Sequence, residues 1–109
     1  MNSPSEAWKK SSVQPLPDLG LLSNVLGHAP RWKILRELGS GEPRTIAQLA
    51  EVVGCSYENA LKHLTVMRAA GVIEQKFGRL YNIPKQYLPW PGEPLVDFGH
   101  CLLRLDAGE

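Results

Sequence analysis

Between Thr45 and Gly71 the chain carries two apolar stripes of helical period, separated only by Gly54, Cys55 and Ser56. No other feature restricts the fold as much. In "TIAQLAEVVG", Ile46, Leu49, Ala50 and Val53 recur at three- and four-residue steps. In "NALKHLTVMRAAGVI", Ala60, Leu64 and Met67 do the same, with Leu61 on the flank. Thr45 followed by Gln48 has the pattern of a capping box, and Ser56 is placed to cap the second helix. Gly54 and Gly71 stop the two helices, because glycine enters the left-handed region without a Cβ clash. Two helices joined through so short a turn form a helix-turn-helix.

Upstream, Asp18 can cap a short helix carrying Leu19, Leu22, Val25 and Leu26, ended by Gly27. Pro30 suits the first position of a further helix. Ile34, Leu35 and Leu38 share one face of it, Arg31, Lys33 and Arg36 lie elsewhere, and Gly39 and Gly41 end it. Downstream, "VIEQKFGRLYNIP" holds two strand-like runs, 72–77 and 79–83, around Gly78. Ile73, Leu80 and Ile83 are expected toward the core, with Lys76, Arg79 and Tyr81 at the tip or outer face. Pro84 lacks the N–H a ladder needs and closes the second strand. A hairpin directly after the second helix is a wing. The expected fold is mainly α with a small β-wing: a winged helix-turn-helix of three to four helices plus hairpin, with an extra C-terminal strand.

The 109 residues suit one domain. Residues 1–17, rich in Ser and Pro, read as a flexible arm, 18–85 as the winged domain and 86–109 as an extension. The tail "PLVDFGHCLLRLD" reads as a strand with Val96, Phe98, His100, Leu102 and Arg104 on one face and Leu95, Cys101, Leu103 and Leu105 on the other. A helix would also align Leu95, Phe98, Leu102 and Leu105, but it would hold Gly99 inside at a cost of about 1 kcal/mol. Pro91, Gly92 and Pro94 ahead of the segment favour the strand.

A net charge of +1 conceals an asymmetry: residues 28–85 hold nine Lys and Arg against five Asp and Glu, whereas residues 86–109 hold one against four. The basic middle permits a polyanionic partner. No run approaches the roughly 20 apolar residues of a membrane helix, and MNSPSEAWKK lacks a signal peptide's apolar stretch. A cytoplasmic protein is expected. Cys55 and Cys101 are too few for a disulfide framework and read as small, partly buried thiols. His28, His63 and His100 fall into no ligand spacing, so neither metal nor cofactor is expected. Nucleophile–base pairs and glycine-rich phosphate loops are missing too, and the chain does not read as an enzyme.

Over roughly residues 19–84 the sequence resembles the winged helix-turn-helix domain of bacterial repressors of the arsenic-repressor-like (ArsR) family. The segments that carry the resemblance are "LGHAPRWKILREL" and "NALKHLTVMRAAGVIEQKFGRLYNI", the latter with a His-Leu pair, an Ala-Gly stop and a Gly-Arg wing ending in Tyr. The resemblance implies a transcription regulator, expected to repress, that binds double-stranded DNA as a homodimer through elements outside the winged domain. Here those elements are the tail, Trp90 and the first helix. Metal-sensing members carry paired cysteines in the helix before the turn, and "TIAQLAEV" has none, which argues against metal sensing. Leu61 stands where the family often has serine. At that position it offers only an apolar contact to a thymine methyl or the core.

In this reading residues 56–70 form the recognition helix and 72–84 the wing on the flank. Ser56, Tyr57, Asn59, Lys62 and His63 lie in the half that reaches base edges and phosphates when such a helix enters a major groove. Asn59 suits adenine, Lys62 a guanine edge or phosphate, and Ser56 and Tyr57 a phosphate. Lys76, Arg79 and Tyr81 complete the set from the wing, and Glu58 opposes it electrostatically. The alternative is a winged-helix module that docks on a protein without binding DNA, its polar helix face merely solvated. No effector is indicated by the sequence.

Overall fold

The structure is a computed structural model that describes residues 17–90 and 92–105. Helices α1 (Leu19–Leu26), α2 (Ala29–Leu38), α3 (Ile46–Val53) and α4 (Tyr57–Ala69) come first. Strands β1 (Glu74–Lys76) and β2 (Leu80–Asn82), a 3-10 turn at Lys85–Tyr87, and strands β3 (Leu95–Asp97) and β4 (Leu102–Arg104) follow. Each strand pair is an antiparallel hairpin. Four helices and a wing make this a winged helix-turn-helix.

Local chemistry explains the helix ends. Asp18 Oδ1 accepts from the Leu21 N–H at 3.0 Å. Thr45 and Gln48 form both halves of a capping box, at 3.2 Å and 2.9 Å. Gly54, at φ 82°, ends α3 in the left-handed region. Helix α2 begins one residue ahead of Pro30, with His28 as its N-cap. Leu22, Val25, Ile34, Leu35, Leu38, Leu49, Leu64 and Met67 then converge in a single core.

The wing is shorter than the runs 72–77 and 79–83. Glu74 pairs with Asn82, Gln75 with Tyr81 and Lys76 with Leu80. Tyr81 also exchanges backbone hydrogen bonds with Arg44, at 2.8 and 3.0 Å. That isolated bridge joins the residue just before Thr45 to the wing.

The tail corrects the sequence reading. It is not one strand covered on both faces but a tight hairpin, turned at Gly99 (φ 87°). Asp97 Oδ1 accepts the Gly99 N–H at 2.8 Å, and the Phe98 N–H donates to the Cys101 carbonyl at 3.0 Å. Val96, Phe98 and Leu105 enter the core with Tyr87, whose ring meets Phe98 edge-on at 5.1 Å. Burial raises the Tyr87 hydroxyl above its ordinary value. Gly39 is a close-approach site, since a Cβ there would run into the Leu105 Cδ1 methyl. Of the expected arm, residues 1–16 lie outside the described residues. Pro17 is buried, and its carbonyl lies 2.9 Å from His100 Nε2.

Candidate nucleic-acid interface

Helix α4 starts at a cap: Ser56 Oγ accepts the Asn59 N–H at 3.1 Å. Glu58 sits in the first turn, where a carboxylate favours the positive end of the helix dipole. This gives the acidic residue a structural role at a position where phosphate would repel it. Tyr57, Asn59 and Lys62 are exposed, Tyr57 to 54%. Among the described residues, their side chains take part in no hydrogen bond or ion pair. Their polar atoms carry no desolvation debt inside the fold.

His63 is different. Its ring is half-buried and Nδ1 accepts the Arg31 Nε–H at 3.1 Å, while Arg31 Nη1 donates to the Asn24 carbonyl at 3.1 Å. Burial, then the positive Arg31 and His28, hold His63 below the ordinary histidine value. A neutral ring accepting at Nδ1 carries its proton on Nε2, so Nδ1 is closed to a base. Arg31 was expected away from the apolar face of α2. It is only 8% exposed, because its stem lies in the core while its head reaches α1 and α4.

The wing divides its basic residues. Arg79 is exposed with no partner among the described residues. Lys76 Nζ lies 3.2 Å from Glu74 Oε2, leaving its charge half-committed. Tyr81 is not on the outer face: it is 3% exposed. The register that pairs it with Gln75 and the bridge to Arg44 turn its side chain into the core, while Leu80 takes the less buried place. Arg44 is likewise withdrawn. Its Nε sits 2.8 Å from Glu37 and Nη2 3.3 Å from Glu42, and these bonds raise its pKa further.

Two residues absent from the sequence reading brace the wing against α4. Arg68 Nη1 donates to Gln75 Oε1 at 2.6 Å, and Gln75 Nε2 donates to the Gly78 carbonyl at 2.7 Å. No sequence motif announces this chain, since it depends on where β1 leaves the helix.

Both cysteines are unpaired thiols of intermediate burial. Burial and the nearby Asp97 raise the Cys101 thiol. Among the described residues no helix is long and apolar enough to cross a membrane.

A family model described as a helix-turn-helix domain matches residues 26–76, from the last residue of α1 through β1. No curated protein and no solved structure matches the chain.

Proposed function

Taking residues 26–76 as a helix-turn-helix domain, we propose that the protein is a sequence-specific DNA-binding transcription regulator. It acts in the cytoplasm as a homodimeric repressor of the arsenic-repressor-like kind. The observation that carries this reading is the pairing of two outward, uncommitted sets: Tyr57, Asn59 and Lys62 at the start of α4, and Arg79 on the wing. In the proposed complex α4 lies in the major groove, with Asn59 and Lys62 at base edges or phosphates. Ser56 keeps its O–H for a phosphate while its lone pair caps the helix. Arg79, with Lys76 behind it, neutralises backbone on the flank.

Dimerisation is supported by exposed apolar side chains on α1 and around the tail: Leu19, Leu21, Trp90 and Leu102. The His100–Pro17 contact ties these regions together. Two modest half-sites joined in this way gain affinity through effective concentration.

The test is fluorescence anisotropy on the duplex just upstream of the protein's own gene, beside a shuffled duplex, from about 50 to 200 mM salt. Tight, salt-steep binding that prefers the upstream duplex is expected. Weak and equal binding to both would overturn the proposal and favour the docking module, a reading that draws on the exposed apolar Val52, Tyr57 and Leu61.

A further inference from the structure

Phe77 is the most exposed large apolar side chain described, at 84%, and it sits at the tip of the wing. Its φ is +55°, and it is the sole described non-glycine residue with positive φ. Gly78 beside it has φ +77°. The tip is a three-residue loop, 77–79, between the paired Lys76 and Leu80, and positive φ in such a loop is the province of Gly, Asn and Asp. An aromatic there is strained. Neither local backbone preference nor packing rewards phenylalanine at this place, and strain of this kind collects at ligand-contacting sites.

The tip is also aimed and charged. The Arg68–Gln75–Gly78 chain fixes it to the last turn of α4, and Phe77 stands in the sequence between Lys76, whose charge Glu74 partly claims, and Arg79, which has no partner among the described residues. An exposed ring flanked by two cations fits a site with an apolar interior and anionic walls. A DNA minor groove has both, with phosphates on its rims and sugars and base edges within.

We infer that Phe77 is a minor-groove wedge, held by the wing against the flank of the site and inserted at a deformable pyrimidine–purine step. This rests on the DNA-binding reading and adds a specificity determinant outside the recognition helix. The cations supply affinity on any flank, whereas the ring favours flanks that unstack at low cost.

The experiment selects duplexes from a random-sequence pool with the wild-type protein and, in parallel, with Phe77→Asn, a residue that suits positive φ. The recovered wild-type duplex is then rebuilt with 2-aminopurine at the flanking step. The wild type is expected to enrich a pyrimidine–purine step at fixed distance from the α4 site and to raise 2-aminopurine fluorescence on binding. Phe77→Asn should keep the α4 site, lose the flanking preference and the fluorescence rise, and bind about 10-fold more weakly, the loss expected for roughly 1.4 kcal/mol of contact. If both proteins recover the same flank and raise fluorescence equally, the wedge is overturned while DNA binding stands. If the wild type enriches no motif, the DNA-binding reading falls with it. If Phe77→Asn changes the oligomeric state in sedimentation, the ring serves a protein contact and the wedge is overturned.

Discussion

Arg31 and His63, 32 residues apart, are joined by a 3.1 Å hydrogen bond in which the guanidinium donates and the imidazole accepts. The bond exists only while His63 is neutral, and it fastens α2 to α4. Folded His63 takes up its proton less readily than an unfolded histidine with its ordinary value of 6.5. Below that value the unfolded chain therefore binds more protons. Stability is full above pH 6.5 and falls as pH is lowered toward the folded value. Urea titrations between about pH 5 and 8 check this, since His is the side chain that titrates there. His63→Asn, which keeps an acceptor but does not titrate, should flatten the dependence. An unchanged slope in that variant would overturn the assignment to His63.

Ser56 separates stability from recognition. Ser56→Ala removes the acceptor for the Asn59 N–H and should cost about 1 kcal/mol. Ser56→Asp restores the cap but sets a carboxylate where phosphate is proposed. It should melt like the wild type and bind DNA more weakly, as thermal denaturation and anisotropy together would show.

Lys62 and Arg79 are exposed, and their side chains make no hydrogen bond or ion pair among the described residues. Alanine at either position should leave the denaturant midpoint unchanged. Each should lower the slope of log K against log salt by about 1 per protomer. Lys76→Ala should lower it less, because Glu74 already claims part of that charge. If all three slopes match the wild type, the placement of DNA on this face is wrong.

Gly39→Ala tests how the tail is attached. The added methyl meets Leu105, which is buried and has little room to retreat. Overpacking of this kind costs about 1–3 kcal/mol. The loss should appear as a lower denaturant midpoint with an unchanged m-value, and as faster proteolysis after Pro94.

The sequence was most legible where structure is set by neighbours. Asp18, Thr45 with Gln48, and Ser56 were identifiable because a cap and its N–H lie within three residues. The apolar stripes of α3 and α4 were readable from their period. Arg31 was misplaced because nothing within its own helix reports a carbonyl on α1 and an imidazole on α4. Tyr81 was turned the wrong way because a three-residue strand has too few alternations to fix its parity, and the deciding partner, Arg44, lies before the helix-turn-helix. The tail reads as one strand because strand-like residues stand on both sides of Gly99, whereas the chain reverses there. Of the residues proposed to contact DNA, Tyr57, Asn59, Lys62 and Arg79 are exposed, whereas Tyr81 is buried and His63 accepts a hydrogen bond from Arg31.

The backbone bridge between Arg44 and Tyr81 has a mechanical consequence. It clasps the residue that leads into α3 to a strand that follows α4, so the two helices sit inside a closed loop of chain. A pull on the wing is therefore transmitted to the start of α3 as well as the end of α4.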